Sequence, residues 1–298
     1  MEKISLLVKY GDLINELSAL SHAAAKIDET NVYQEANPQT RALMDRLVQE
    51  NLLPGSRLEG TKYFEDFYAQ VREGSRGLIL MEHYSNTDLP VLCYLLEHSG
   101  NEKLKDLAAR IVAIAGMKLN EASPIVRAFA ESFTRVVIYP SRSLTKNEQN
   151  AQSEEMAKAE TQRARKINLA AMRAMDNCKK RGQVILVFPA GTRYRPGHPE
   201  TKRGLREIDS YLRLFDIVTL VSINGIMLQL QDENMLHDLI GPTQMIYAAS
   251  PVIDCKEFRK EFMESLPPDE EDPKQKVIDH VMEILQKQHD YYERTYSD

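Results

Sequence analysis

Residues 78–96 read LILMEHYSNTDLPVLCYLL, in which a polar turn separates two apolar runs. The first run has the length of a strand and ends at Met81. Pro90 suits the first turn of a helix, because its missing N–H would have no partner there. The stretch therefore predicts a strand, a turn and a helix, with His83 and Asp88 at the turn.

Short apolar runs of this kind recur along the chain, and helical or loop-like sequence separates each from the next. They are RIVAIAG at residues 110–116, RVVIYP at 135–140, QVILVFPAG at 183–191 and DIVTLVSING at 216–225. Alternating strands and helices are typical of α/β domains. The sequence therefore predicts an α/β fold in which helices flank a mixed, largely parallel central sheet.

The first part of the chain has a different pattern. Apolar residues recur at helical spacing in residues 3–27, and a second helical pattern begins near Pro38. At 298 residues the chain is long enough for a main domain and a smaller appendage. We predict a small N-terminal helical domain at residues 1–56 and an α/β domain at residues 57–298.

The composition, 43% hydrophobic and 28% charged with a formal net charge of −6, is that of a globular protein. An acidic chain is poorly suited to nucleic acid, whose binding depends on neutralising phosphates. No apolar run approaches the ~18 residues of a membrane span, and charged residues make the N-terminus a poor signal peptide. We therefore expect a soluble, cytoplasmic protein (plastid stroma, if the source is a plant) with no nucleic-acid partner, and we leave peripheral membrane contact open.

The three cysteines, Cys93, Cys178 and Cys255, are far apart in the sequence. No C-x-x-C motif or Cys/His cluster accompanies them, so neither a zinc site nor a disulfide framework is indicated. We expect reduced, buried thiols and no bound metal.

His83 and Asp88 permit two interpretations. In the first they are ordinary turn residues, and Thr87 or Asp88 is the N-cap of the helix. In the second the turn folds the Asp88 carboxylate back onto the imidazole. Asp88 would then accept the Nδ1 proton, and Nε2 would be free to take a proton from a hydroxyl group.

A second polar stretch, FPAGTRYRP at residues 188–196, directly follows an apolar run. Arg193 and Arg195 are two positions apart, so in an extended loop they project to the same side, and two guanidinium groups suit a phosphate. A solvated loop tip is the alternative. Arg142 follows the strand predicted in RVVIYP, and we expect it at the same sheet edge as His83.

In this order, the three stretches resemble the motifs of the glycerolipid acyltransferase superfamily: H-x-x-x-x-D, a strand ending in a basic residue, then F-P-E-G-T-R or a relative. The resemblance is closest to the soluble, plastid-type glycerol-3-phosphate acyltransferases. Those enzymes have a small N-terminal helical domain and a G-x-R-x-R-P form of the third motif, here GTRYRP at residues 191–196. Three features depart from the superfamily pattern: Ala190 replaces Glu, Glu82 replaces the usual Asn, and LVSI at residues 220–223 replaces V-P-V.

The resemblance implies a glycerol-3-phosphate 1-O-acyltransferase whose α/β domain is catalytic. It implies that His83 is the general base and that Asp88 orients it. It also implies that Arg193, Arg195 and Arg142 bind the phosphate of glycerol 3-phosphate. Acyl carrier protein or coenzyme A would carry the acyl group as a co-substrate, and no cofactor or metal would be required.

Two alternatives remain open from the sequence. The acceptor could be lysophosphatidate or another alcohol, or the chain could be a noncatalytic module that binds phosphate or lipid. An acidic carrier protein would need a basic patch, for which the candidates are Lys179, Lys180 and Arg181, or Lys202 and Arg203.

Overall fold

The structure, a computed structural model, describes residues 2–121, 123–149, 153–232 and 234–297. The strands in these residues are β1 (Ile4–Ser5), β2 (Tyr33–Gln34), β3 (Arg57–Glu59), β4 (Gly77–Met81), β5 (Ile111–Gly116), β6 (Arg135–Ile138), β7 (Val184–Val187), β8 (Ile217–Asn224), β9 (Leu228–Gln229), β10 (Leu239–Ile240), β11 (Ile246–Ala249) and β12 (Ile253–Asp254). The α-helices are α1 (Leu6–Leu20), α2 (Pro38–Asn51), α3 (Thr61–Arg72), α4 (Asp88–Glu97), α5 (Glu102–Arg110), α6 (Lys118–Glu121), α7 (Pro124–Glu131), α8 (Ser141–Gln149), α9 (Glu154–Lys180), α10 (Ile208–Leu214), α11 (Cys255–Ser265) and α12 (Pro273–Ser297). Short 3₁₀ helices lie at Pro199–Lys202 and Met235–His237.

The chain packs into two compact units, and each unit combines stretches that are far apart in the sequence. The larger unit contains Met1–Lys9, Leu47–Ile111 and Gly182–Asp298. The smaller unit contains Tyr10–Arg46 and Val112–Arg181.

The central sheet of the larger unit has the strand order β7-β4-β8-β11-β3. β4 pairs in parallel with both β7 and β8, whereas β11 runs antiparallel to β8 and parallel to β3. Every residue of β4, β7 and β8 is buried, as expected for parallel strands that are covered on both faces. The helices α3 and α12 both pack against β8 and β11.

A second, smaller sheet belongs to the same unit. It has the order β1-β10-β9, and both pairings are antiparallel. The sheet therefore joins the first residues of the chain to the segment around residues 228–240.

In the smaller unit, β5 pairs in parallel with β6, and β2 pairs antiparallel with β6. A hydrophobic cluster fills this unit and consists of Ile27, Val32, Met117, Val137, Tyr139, Ala164 and Ile167. The long helix α9 contributes Ala164 and Ile167 to the cluster.

Local sequence explains where α9 begins and ends. The side chain of Ser153 accepts the backbone N–H of Met156 and caps the N-terminus. Acidic residues lie in the first turn and basic residues in the last turn, so both sets of charges interact favourably with the helix dipole.

The predicted α/β fold with a mixed, largely parallel sheet is confirmed, and all five apolar runs form strands, β4 to β8. The helical patterns predicted within residues 1–56 correspond to α1 and α2. The boundary after residue 56 stays a prediction, because units defined by packing need not coincide with domains. The three cysteines are buried and form no disulfide. None of the helices in the described residues combines the length and the apolarity needed to cross a membrane.

Candidate active site

The polar turn at residues 82–87 connects the end of β4 to the start of α4. It therefore lies at the carboxyl end of a central parallel strand, where open α/β sheets commonly bind ligands. Within it, His83 Nδ1 is 2.9 Å from Asp88 Oδ2. The side chain of Asp88 is 2% exposed and that of His83 is 17% exposed, so solvent reaches the histidine and hardly reaches the carboxylate.

The Asp88 carboxylate is held by groups that precede it in the chain. Its Oδ2 atom accepts the backbone N–H groups of Tyr84 at 2.5 Å and Ser85 at 2.8 Å, and its Oδ1 atom accepts the Ser85 hydroxyl at 2.8 Å. The N-cap residue of α4 is Thr87, which makes no side-chain capping bond. Asp88 is therefore not an N-cap: it lies in the first turn of α4, and its carboxylate points back over the preceding turn.

These contacts determine how His83 can exchange a proton. An ionised carboxylate only accepts hydrogen bonds, so His83 donates its Nδ1–H to Asp88, and Nε2 of the neutral ring keeps a free lone pair. The imidazole is also stacked on Phe188, with the ring centroids 3.8 Å apart and the planes 16° from parallel. The ring is thus held in one orientation and one tautomer, as a general base requires.

The loop that follows β7 packs directly on this turn. Phe188 supplies the stacked ring, and the backbone N–H of Tyr194 donates to the carbonyl oxygen of His83 at 2.8 Å. Gly191 has a φ of +63°, and a Cβ atom at this position would collide with the side chain of Leu205. The path of the loop therefore requires glycine at this position.

Arg193 and Arg195 flank Tyr194, so the contact between Tyr194 and His83 brings both of their backbones beside the histidine. Arg193 Nη1 lies 3.5 Å from Asp238 Oδ2. Burial lowers the pKa of Arg193, the charge of Asp238 counteracts this shift, and the nearby charge of Arg195 adds to it. The charges of the two guanidinium groups are therefore close enough to act on each other.

A shallow, solvent-open depression lies beside His83. Its walls come from the turn after β4, the loop after β7, the 3₁₀ helix at residues 199–202 and α12. The lining residues are Glu82, His83, Tyr84, Pro189, Ala190, Tyr194, Thr201, Lys202 and Met282. The depression borders His83, whose side chain is 17% exposed.

Comparison with known families bears on what this site does. The family model described as Acyltransferase matches residues 62–215, just over half of the chain, and this range contains both the turn and the loop. The chain belongs to the acyltransferase family. No curated protein matches it. The acyltransferase is therefore an enzyme that transfers acyl groups, and not a noncatalytic binding module.

The predicted site residues of the acyltransferase divide between its two units. His83, Asp88, Arg193 and Arg195 all lie in the larger unit. Arg142 lies in the smaller unit, where it is exposed in the first turn of α8. Its contact with the phosphate stays a prediction.

A buried ionic cluster of the acyltransferase lies next to the histidine. Glu82 Oε2 accepts the backbone N–H of Ile223 at 2.9 Å and lies 3.0 Å from His289 Nδ1. Glu82 Oε1 accepts the Tyr84 hydroxyl at 2.9 Å and lies 3.6 Å from Lys202 Nζ. Burial alone would lower the pKa of His289, but the hydrogen bond and charge of Glu82 outweigh burial and raise it.

The sequence revealed only part of this cluster. Glu82 is visible as a departure from the motif pattern, whereas two of its partners, Ile223 and His289, lie far along the chain. The described part of the acyltransferase contains no group of three or more His, Cys, Asp or Glu residues that could hold a metal ion.

Basic residues considered for a carrier-protein patch form ion pairs in the acyltransferase. Their partners are Asp176 for Lys179 and Lys180, Glu82 for Lys202, and Asp279 for Arg203. The guanidinium group of Arg181 lies over the ring of Tyr33, 4.9 Å from its centroid. Contact of these residues with a carrier protein stays a prediction.

Proposed function

We propose that the enzyme is a glycerol-3-phosphate 1-O-acyltransferase, which transfers a fatty acyl group from an acyl thioester to the sn-1 hydroxyl of glycerol 3-phosphate. The product, 1-acyl-glycerol 3-phosphate, would enter phospholipid synthesis. The supporting observation is the 2.8 Å hydrogen bond from the Tyr194 N–H to the His83 carbonyl oxygen. Because Tyr194 lies between Arg193 and Arg195, one loop brings both guanidinium-bearing residues beside the base. The hydroxyl and the phosphate of one small acceptor can then be bound together.

The reaction follows from the orientation of the imidazole. His83 Nε2 removes the proton of the sn-1 hydroxyl while that oxygen attacks the carbonyl carbon of the thioester. Asp88 stabilises the imidazolium that forms. The tetrahedral intermediate then collapses, the C–S bond breaks, and the leaving thiolate takes the proton from His83. No acyl-enzyme forms, since the hydroxyl is itself the nucleophile.

The motif resemblance supports this choice of acceptor. The GTRYRP stretch at residues 191–196 matches the G-x-R-x-R-P form found in soluble, plastid-type glycerol-3-phosphate acyltransferases. Acyl carrier protein or coenzyme A supplies the thioester, and the scheme uses no metal or other cofactor. Arg142 is included as a third contact to the phosphate on the same resemblance.

The test measures thiol release from acyl-CoA and from acyl carrier protein, with and without glycerol 3-phosphate. It compares wild type with His83→Ala and with the matched control His98→Ala. His98 also stacks on an aromatic ring, that of Tyr94 at 3.9 Å, but it is exposed and lies outside the site. We expect release that depends on glycerol 3-phosphate in wild type and in His98→Ala, and release about 10²- to 10⁴-fold slower in His83→Ala.

Parallel assays with lysophosphatidate and with glycerol test the acceptor. Faster turnover of either one than of glycerol 3-phosphate would contradict the proposed acceptor. No acceptor-dependent release from either thioester by folded wild type would contradict the whole proposal. The better thioester identifies the donor.

A further inference from the structure

The ion pair between Arg193 and Asp238 is buried and incompletely hydrogen-bonded. The two side chains are 20% and 0% exposed, and Nη1 and Oδ2 are 3.5 Å apart. Neither of these two atoms has a hydrogen-bond partner within the described residues. Buried charged groups normally have their hydrogen bonds satisfied, so a buried guanidinium nitrogen without one requires an explanation.

Asp238 is held in place by its own surroundings. Its Oδ1 atom accepts the backbone N–H of Gln231 at 3.0 Å, and its carbonyl oxygen accepts the backbone N–H of Leu6 at 2.8 Å. These two bonds leave Oδ2 facing the guanidinium group of Arg193. Burial raises the pKa of Asp238, while the Gln231 hydrogen bond and the charge of Arg193 oppose this shift.

The segment that carries Asp238 also contacts the turn of the proposed base. Met235 Sδ accepts a hydrogen bond from Asn86 Nδ2 at 2.8 Å. Asn86 lies in the turn between His83 and Asp88. Residues 235–238 therefore contact both the turn of the proposed base and Arg193, the first arginine of the third motif.

We propose that Asp238 is a positioning residue, which holds Arg193 in the orientation that receives the phosphate of the acceptor. This inference rests on the function proposed above. A guanidinium group presents several N–H donors in one rigid plane. Asp238 attracts the Nη1 end by charge and leaves the other donors to the phosphate oxygens. Because Asp238 already orders the side chain, substrate binding does not bear that entropic cost.

A carboxylate beside an arginine can also compete with a phosphate for the same donors. The geometry argues against competition here, because the 3.5 Å separation includes no hydrogen bond that the phosphate would have to break. The remaining effect of the Asp238 charge is to orient Arg193 and to offset part of the cost of burying its charge.

The test is a double-mutant cycle between Asp238→Asn and Arg193→Ala, read out as steady-state kinetics with glycerol 3-phosphate as the varied substrate. We expect Asp238→Asn to raise the KM for glycerol 3-phosphate about 3- to 10-fold, while kcat and the KM for the acyl donor change little. In the Arg193→Ala background, Asp238→Asn should raise the KM no further, because the arginine side chain that Asp238 positions is already absent. The control Asp232→Asn alters an exposed acid of the same segment, which pairs with His237.

The outcomes separate this inference from the function on which it rests. If wild type acylates glycerol 3-phosphate and Asp238→Asn has a wild-type KM, the inference is wrong and the function stands. If the two substitutions are additive, Asp238 acts independently of Arg193 and the inference is also wrong. If wild type shows no turnover of glycerol 3-phosphate, both fail together.

Loss of folding is also informative. If Asp238→Asn fails to fold and the double variant folds, the two charges are coupled as proposed, since removing one partner of a buried pair costs more than removing both. If both variants fail to fold, Asp238 supports the fold irrespective of Arg193, which contradicts the inference.

Discussion

At the scale of single residues, one carboxylate both closes the turn and orients the proposed base. Asp88 Oδ2 accepts backbone N–H groups from Tyr84 and Ser85 and also faces His83 Nδ1. The hydrogen bonds that form the turn therefore also fix the direction of the imidazole. A substitution at Asp88 therefore affects both the turn and the orientation of the imidazole.

Asp88→Asn tests this dual role. The amide keeps the size of the side chain but places an N–H₂ donor against either the backbone N–H groups or the Nδ1–H of His83. We expect turnover, measured as thiol release, to fall about 10²- to 10⁴-fold. The control is Asp232→Asn, because Asp232 pairs with His237, also five positions away, at the surface. Turnover of Asp88→Asn close to that of wild type would contradict the orienting role.

Substitutions at two glycines distinguish the effect of backbone strain from the effect of a steric clash. Gly191 and Gly197 both have positive φ, but a Cβ atom would meet Leu205 at position 191 and nothing within 4 Å at position 197. We expect Gly197→Ala to lower the free energy of unfolding by about 1 kcal/mol and Gly191→Ala to lower it by about 2–4 kcal/mol. Urea denaturation measures both. Equal losses would show that the loop adjusts freely around Leu205.

At the scale of secondary structure, the strands that could be predicted are those whose sequence is an unbroken apolar run. The apolar runs predicted β4 to β8, because strands buried on both faces have few polar interruptions. The strands β1, β9 and β10 could not be predicted, since two residues show no periodicity. Asp238, which precedes β10, therefore remained unnoticed as a neighbour of Arg193.

Likewise, only part of the candidate site could be predicted from the sequence. The turn between β4 and α4 carries its own signals, a strand end and a proline in the following helix, so a contact between His83 and Asp88 could be anticipated. The surroundings of Glu82 could not be anticipated. Its contacts with Ile223 and His289 join residues that only the tertiary fold brings together.

The contact between α12 and the turn at residues 82–87 should make the free energy of unfolding depend on pH. His289, in α12, faces Glu82, Lys202 and Glu293, and Glu82 raises its pKa against the effect of burial. A raised pKa means that the folded state binds the proton more tightly, so this stabilisation is complete below the ordinary value of 6.5 and is lost as pH rises through the folded-state pKa.

We therefore expect the difference in the free energy of unfolding between wild type and His289→Gln to be largest below pH 6.5 and to shrink at higher pH. Urea denaturation across a pH series measures it. The same comparison in a Glu82→Gln background is the control, and there the pH dependence should be much weaker. A difference that grows with increasing pH would contradict the assignment.

At the scale of the whole molecule, each compact unit is discontinuous in sequence. Residues 10–46 join residues 112–181 in the smaller unit, and residues 182–298 join earlier stretches in the larger one. Patterns along a chain group only neighbouring residues, so the sequence could predict strands and helices but not this pairing of distant stretches. The domain boundary after residue 56 remains a prediction for the same reason.

Substrate binding should stabilise the whole molecule if the phosphate site is the one proposed. A ligand that binds only the folded state adds about 2.7 kcal/mol at 100 times its Kd. We expect glycerol 3-phosphate to raise the Tm of wild type, and glycerol at the same concentration to raise it far less. Arg193→Ala should lose most of the shift, and Arg142→Ala should lose part of it.

The control for this measurement is Arg173→Ala, which removes an exposed arginine from α9. Its Tm shift should equal that of wild type. Equal shifts in wild type and Arg193→Ala would mean that the phosphate binds elsewhere.

The ion pair between Glu82 and His289 also has a consequence for biosynthesis, because 207 positions separate the two residues. A ribosome that adds about 5–20 residues per second reaches His289 about 10–40 s after Glu82. During this interval the nascent chain already contains β4 and the turn, but a carboxylate that is destined for burial lacks its imidazole partner. Lys202 and Tyr84 are made earlier and already face Glu82, but the carboxylate is less well compensated without the imidazole, so we expect the turn to be less stable in this interval. We therefore expect the turn to become fully ordered only after α12 has been made.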